Sequence, residues 1–464
     1  MELINLSLDY KGKFGDKRLD KRAVIISNSL MQSKVSSIRR STGDEASQKA
    51  AYRFLNNDKV EEKILIDALR QKAGHLSADR HVLVIQDTTC IDLSSHKGRL
   101  QEETGFGPIG NHQGNAWGFN LHGALVVDAF RQTLLGFSSY HQWGRAINQG
   151  NRYNREYKKK PIEQKEAFKW LRGCTESKET LSSARSITFI EDREGDIYDQ
   201  FALIPDERTH LIIRSRDNRT IEDGNKLYDV LEVAPLAGCF ELVIDGDSRK
   251  QVKKRTATIE VRYTTVEIRR PQWGKNHLPE KVKLCAVEAK EIGSQVDKPI
   301  IWRLLTTHAV EDITTAMWII QCYKCRWYIE QFFRLMKKKG FRIEDSELER
   351  GWAIRKLSVL LAGVVLKIMQ MLLSYGAEES QPIEEIYDEK ERQCMEMLQQ
   401  KLQTEKVKNP YSKNSLNWGT WIIARLGGWK GTAKERPPGP ICLKNGLDKF
   451  NLIFQGWILA KNMS

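Results

Sequence analysis

Four polar side chains recur along one stretch at the spacing Y-x2-R-x3-E-x6-K: Tyr323, Arg326, Glu330 and Lys337. At about 100° of rotation per helical residue, with Tyr323 at zero, Arg326 falls near about −60°, Glu330 near about −20° and Lys337 near about −40°. All four therefore share one narrow stripe. Cys322, Cys325, Ile329, Phe332 and Met336 fall on the opposite face, which reads as core. The only close cysteine pair thus belongs to that core stripe, and no second CxxC completes a zinc site. A carboxylate flanked by two cations and a phenol suits work on phosphates, the cations by charge-assisted hydrogen bonds. The competing reading is a solvated, ion-paired face. Against it stands the close alignment of the four side chains without acidic partners for both cations.

The chain holds 60 acidic residues, so spacing alone cannot select partners for Glu330. Context can. Asp87 directly follows the apolar run VLVIQ, and Asp192 follows ITFI and Glu191. A carboxylate at the end of a buried strand is held rigidly at a sheet edge, where metal sites are commonly built. A turn or helix-cap role is the commoner fate of any one such Asp. Two of them with a third acid on a helix suit metal-dependent phosphodiester cleavage. Mg²⁺ prefers hard carboxylate oxygens, and two such ions about 3.5–4 Å apart activate the attacking oxygen and stabilise the leaving one.

The elements that must position these residues follow a clear order. Residues 1–70 read as helical and basic: from Lys11 to Arg40 nine Lys/Arg stand against Asp16 and Asp20. Leu19, Ala23, Ile26 and Leu30 repeat at helical spacing, leaving Lys17, Arg18, Lys21 and Arg22 on the other faces, with Arg39 and Arg40 beyond. These six are the candidate DNA contacts of a small helical module; a solvated basic face is the plainer alternative. Runs at 81–87, 118–128 and 133–143 resemble a meander of three antiparallel strands. A second basic segment, Arg145 to Arg172, leads into a helix expected at about 163–184. Two buried strands follow at 186–192 and 210–216. From about 217 to 299, basic and β-branched residues alternate, as in a β-rich insertion. IIWRLLTT (300–307) returns to a strand, and a long helix is expected from about Ile313 to Lys339. After Tyr375 the chain turns polar and acidic, then helical again.

Charge and composition bound the function. The net charge of +14 points to a polyanionic partner. The N-terminus lacks the order of a signal peptide, and the most apolar stretch, Leu357 to Leu373, carries Lys367 and Gln370, so a buried helix is expected there and not a membrane span. Eight scattered cysteines form no disulfide framework and fit a reducing cytoplasm.

At the four-residue signature the sequence resembles the insertion-sequence 4 (IS4) family of DDE transposases, and in particular its Tn5-like members. EDREGD (191–196) resembles the family's D-R-E-x-D block around its second Asp, and VIQDTT (84–89) its first-Asp block. GDKRLDKRAV (15–24), AAYRFLNND (50–58) and ARLGGW (424–429) also match, so the resemblance spans most of the chain. It implies an α/β fold with an RNase H-like, retroviral integrase-type catalytic core (71–372) carrying the β-rich insertion at about 217–299. The core would be flanked by an N-terminal helical DNA-binding domain (1–70) and a C-terminal helical dimerisation domain (373–464). It implies a catalytic and metal-binding triad of Asp87, Asp192 and Glu330, a two-ion Mg²⁺ site and substitution by Mn²⁺. It implies cut-and-paste transposition through a DNA hairpin, by a synaptic homodimer acting on double-stranded transposon ends and target DNA. A bacterial, cytoplasmic, nucleoid-associated protein with no membrane partner is the matching expectation. Tyr323, Arg326 and Lys337 would hold phosphates around a flipped base, and Trp302, on the strand before the signature helix, would stack there. Core packing within IIWRLL is an equal alternative for Trp302. Glu191, Glu194 and Asp196 compete with Asp192; position in the block favours Asp192, and strand alternation turns Glu191 the other way. Extra glycines between Gly105 and Gly118 and the stretch ERPPGP (435–440) depart from the family pattern. A nuclease of the same fold and a non-catalytic DNA-binding repressor are the other function classes. A phosphatase or glycosidase leaves Arg326, Lys337 and the basic N-terminus unexplained.

Overall fold

The computed structural model describes residues 10–463 except 33–36, 43, 101–104, 111–115, 146–159, 245–254, 272–276, 294–298, 339–340, 376, 378 and 433–434. Half of the second basic segment, Lys34, part of the Gly105–Gly118 stretch and the side chain of Arg40 lie outside the described residues.

Helices α1 (Lys17–Gln32), α2 (Ile38–Ser41), α3 (Glu45–Leu55) and α4 (Glu62–Leu76) come first. Ala23, Ile26 and Leu30 of α1 are buried, whereas Lys17, Arg18 and Lys21 are exposed, as the spacing requires. Asp20 is spent locally, accepting from the backbone N–H of Gly12 at 2.7 Å and of Phe14 at 3.2 Å.

The chain then builds one ten-stranded mixed sheet. Its strands are β1 (His81–Asp92), β2 (Gly107–Pro108), β3 (Trp117–Asp128), β4 (Leu134–Trp143), β5 (Ser186–Glu191), β6 (Thr209–Arg214), β7 (Leu236–Ile244), β8 (Arg255–Arg269), β9 (Lys281–Ile292) and β10 (Ile301–Thr306). β1, β3 and β4 form the expected antiparallel meander, with β2 on the same edge of β3 as β4. β5 and β6 lie parallel to β1 and to each other. β10 then pairs antiparallel with β6, and β9, β8 and β7 extend the sheet outward, so the insertion strands continue the core sheet.

Helices cover both faces. α5 (Phe168–Thr180), α6 (Tyr198–Leu203) and α7 (Leu227–Val233) pack on one face against Val82, Val84, Ile187, Phe189, Leu211 and Ile213. α5 is shorter than the expected 163–184. The other face, presenting Leu83, Ile85, Ile190 and Ile212, receives α8 (Ile313–Lys324), α9 (Trp327–Lys337) and α10 (Gly351–Ser374). The alternation is strict along β1, β5 and β6, so each strand residue can be assigned to a face by its number.

α10 is long and apolar enough to cross a membrane, yet it is buried inside the protein. Its long polar side chains meet hydrogen-bond acceptors or an opposite charge there. Lys356 donates to the carbonyls of Leu55 and Asn57, Gln370 to that of Leu134, and Lys367 faces Glu391 at 3.6 Å. The C-terminal α11 (Glu389–Leu402), α12 (Leu416–Leu426) and α13 (Pro440–Met463) close over it. The N-terminal helices, one face of the sheet and the C-terminal helices thus share a continuous apolar core.

Candidate active site

Asp87 is not at a strand end. β1 runs on to Asp92 because β3 continues to pair with it, Asp87 opposite Gly123 and Asp92 opposite Gly118. What ends near Asp87 is the pairing with β5, whose last register pair is Ile85 with Ile190. Asp192 does follow its strand directly, where its side chain accepts from the Glu194 N–H at 2.8 Å and caps a short 3-10 turn. The numbering parity of Leu83, Ile85 and Ile190 puts Asp87 and Asp192 on the face covered by α9.

The expected single helix is two. At Cys325 and Arg326 the backbone tightens: the N–H of Cys325 bonds the Cys322 carbonyl, and that of Arg326 the Tyr323 carbonyl, three residues back in each case. This 3-10 turn separates α8 from α9, with both residues still in the right-handed helical region. The core stripe is as expected, with Cys322, Cys325, Ile329, Phe332 and Met336 all buried. The two cysteines are free thiols that burial pushes upward, Cys325 to about 12.

Glu330, on the first turn of α9, meets the two aspartates around one guanidinium. Arg326 stands 2.5 Å from the Glu330 carboxylate, 3.8 Å from that of Asp87 and 3.6 Å from that of Asp192. Burial, followed by the charges of Asp192 and Glu330, drives Asp87 up to about 7 against the opposing pull of Arg326. Among the described residues, no three acidic, His or Cys side chains stand close enough to cage a metal ion as they are. Here the guanidinium lies between the three carboxylates. Three hard oxygen donors from three separate elements, already gathered around one cation, fit a hard divalent ion.

Lys337 lies three turns along α9 and reaches back to β1, donating to the Cys90 carbonyl at 2.8 Å and to the Thr89 hydroxyl at 3.4 Å. It also faces Glu344 at 3.3 Å. Both cations of the stripe therefore have acidic partners, contrary to the argument from spacing. Tyr323 is buried with its ring edge-on to Trp302, centroids 5.6 Å apart. Burial raises its phenol against the opposing pull of the Arg326 and Arg214 guanidiniums. Trp302 is partly exposed, so it is neither pure core nor free surface.

The rivals of Asp192 have other partners. Glu191 is fully buried on the far face, as alternation requires. Glu194 pairs with Lys169 at 3.2 Å, and the buried Asp196 pairs with Arg219 and accepts from the Arg216 N–H. The N-terminal Lys17, Arg18, Lys21, Arg22 and Arg39 form no part of this cluster.

Two neighbours escaped the reading of the sequence. Arg214, at the end of β6, shares the parity of Ile212 and so the face of Asp192. Trp327 begins α9 directly after Arg326 and is 56% exposed, a large aromatic left open one turn before Glu330 in the helix. Both carried a signal: strand parity for Arg214, and for Trp327 a helical angle only about 40° from Tyr323.

Residues 11–60 match the family described as "Transposase DNA-binding", and residues 149–366 match "Transposase DDE domain". The second match includes Asp192, Trp302 and the whole signature, while Asp87 precedes it. Among solved structures the chain is similar to one described as "Cryo-EM structure of piggyBac transposase synaptic complex with hairpin DNA", at 8% identity and a TM-score of 0.36, over 93% of this chain and 75% of that one.

Proposed function

We propose that the chain, which carries a match to a transposase DDE domain and one to a transposase DNA-binding domain, is a DDE transposase that binds the terminal inverted repeats of its own mobile element. It then moves that element by cut-and-paste through nicking, hairpin formation and strand transfer. The observation that carries this reading is the convergence of Asp87, Asp192 and Glu330 on one cationic point. The sheet supports it: an antiparallel meander followed by two parallel strands, with acids on the first and fourth core strands, is the arrangement expected of an RNase H-like core.

DDE transposases use divalent metals. In this reading Asp87, Asp192 and Glu330 hold two Mg²⁺, with Mn²⁺ as substitute, which lower the barrier to attack at a phosphate and stabilise the leaving oxygen. The remaining residues hold DNA. Arg326 is within reach of both the carboxylates and the backbone of a bound strand, and exchanging carboxylate for phosphate keeps its charge compensated. Lys337, Arg214 and the Tyr323 hydroxyl hold neighbouring phosphates. Trp302 and the exposed Trp327 offer π-faces to an unstacked base. Lys17, Arg18, Lys21, Arg22, Arg39 and Arg40 contact the duplex end.

The working unit is a homodimer that pairs two ends. Its support is α13, whose Leu443, Leu447, Phe450, Phe454 and Ile458 face inward while Ile441, Leu452, Leu459 and Met463 stand exposed within about 40° of one another on the opposite side. A bacterial cytoplasmic protein associated with the nucleoid matches the excess of basic charge.

Incubation with the element's own end DNA and Mg²⁺, resolved on a gel, tests the reading. Nicked, hairpin and strand-transfer products are expected. Nicks alone would make the protein a nuclease of the same fold, and end binding without cleavage a repressor.

A further inference from the structure

Directly behind the two aspartates, on the opposite face of the sheet, lies a buried polar chain that the proposed chemistry does not use. Gln86 and Glu191 are the residues immediately before Asp87 and Asp192, and both are fully buried. Gln86 Nε2 donates to Glu191 Oε1 at 2.9 Å. This bond comes one residue after Ile85 and Ile190, the last register pair of β1 and β5. It therefore ties the strands together at the level where their register pairs have run out and just before the acids emerge.

The rest of the chain orients that bond. His122 of β3 lies with Nε2 2.9 Å from Gln86 Oε1 and Nδ1 2.8 Å from the Thr88 hydroxyl. With Gln86 Nε2 committed to Glu191, its Oε1 must accept, so His122 carries its proton on Nε2 and accepts from Thr88 on Nδ1. Gln200 of α6 donates to both Glu191 oxygens, at 2.7 and 2.6 Å. The donors from Thr88 through His122 and Gln86 run one way to Glu191, which Gln200 meets from the other side, and Gln86 Nε2 also lies 3.0 Å from Cys174 Sγ. Asp87 is thus flanked by two residues of the chain, Gln86 and Thr88, and Asp192 by its terminus. Two glycines leave room for it: a Cβ at Gly173 would run into Gln86 Oε1, and one at Gly195 into Glu191 Oε2.

We propose that Gln86 and Glu191 are positioning residues that set the separation of Asp87 and Asp192 for cation binding. The inference rests on the reading of those aspartates as cation-holding acids. Groups hydrogen-bonded to metal ligands are worth about 10–100-fold in metal affinity or activity when removed, and Gln86 and Glu191 act one step further out, through the backbone that carries each aspartate. Fully satisfied buried polar networks rigidify what they connect.

Mn²⁺ titration of the full chain without DNA, by calorimetry, tests it. Gln86→Leu is expected to weaken Mn²⁺ binding about tenfold while leaving end-DNA binding and the circular dichroism spectrum unchanged. Exchanging the pair, Gln86→Glu with Glu191→Gln, keeps one donor and one acceptor across the strands, and His122 can still donate to position 86. This double variant is expected to recover most of the affinity. Gly195→Ala, which presses on Glu191 without removing it, serves if Gln86→Leu does not fold, and is expected to show the same loss. Wild-type affinity in the folded single variants, or an exchange that recovers nothing, overturns the proposal. Asp87→Asn separates the two readings. If it binds Mn²⁺ as the wild type does, the assignment of the acids fails; if it loses binding while Gln86→Leu does not, only the positioning role fails.

Discussion

Lys337 donates to the backbone carbonyl of Cys90, three residues beyond Asp87 on the same strand, at 2.8 Å. α9 is thereby moored along β1 by its last turn, while its first turn presents Glu330 to Asp87. Lys337→Ala should slow cleavage or hairpin formation about tenfold with end binding retained, measured as single-turnover rates on a pre-cut end. A wild-type rate would leave Lys337 as the partner of Glu344 and nothing more.

Asp87→Ala, Asp192→Ala and Glu330→Ala should each abolish strand cleavage and leave gel-shift binding of the end intact. The three converge from a strand interior, a strand end and a helix, so no single local distortion accounts for all three losses. Persistent cleavage in any one removes that residue from the triad.

How much of this was readable beforehand divides by the range of the interaction. The stripe of Arg326, Glu330 and Lys337, and the turning of Glu191 away from Asp192, follow from helical and strand periods, which are local. The strands of the core could be placed for the same reason. The continuation of β1 through Thr88, Thr89 and Cys90 could not, because it depends on β3 lying alongside, and that pairing joins residues 30 and more positions apart. Nor could the 3-10 turn at Cys325 and Arg326, since neither residue type breaks a helix. The acidic partner of Lys337, Glu344, comes from a turn beyond the helix and had no periodic mark at all.

Trp302→Ala should impair hairpin formation more than the first nick, since only the hairpin step requires a base to leave the stack. Trp327→Ala should show the same bias, because that ring is open to solvent and carries little of the fold. A time course resolving nick from hairpin decides; equal effects on both steps would assign Trp302 to packing against Tyr323.

The exposed stripe on α13 predicts a defect in pairing and not in chemistry. Leu452→Glu with Leu459→Glu should abolish the complex of two ends, seen by native gel, while single-end binding persists. The inward face of α13 is untouched by either change, so stability should alter little. Paired-end complexes at wild-type level would place the dimer contact elsewhere.

At the opposite pole of the sheet, His81 and His308 both lie 2.9 Å from the Thr188 hydroxyl, and His308 stacks on His210 at 4.0 Å. Burial, then the neighbouring histidines, lowers His81 to about 4 and His308 to about 3; Arg185 adds to this at His81, and Asp128 opposes it. Both are neutral when folded, whereas an unfolded chain begins to protonate them near about pH 6.5. Between these limits the unfolded state binds more protons, so stability rises with pH there. It is complete above about pH 6.5 and is lost progressively as the pH falls toward about 4. Melting temperatures from pH 7.5 down to 4.5 should therefore fall more steeply for the wild type than for His308→Gln, which cannot take up that proton. Parallel curves would mean that acid sensitivity arises from other groups.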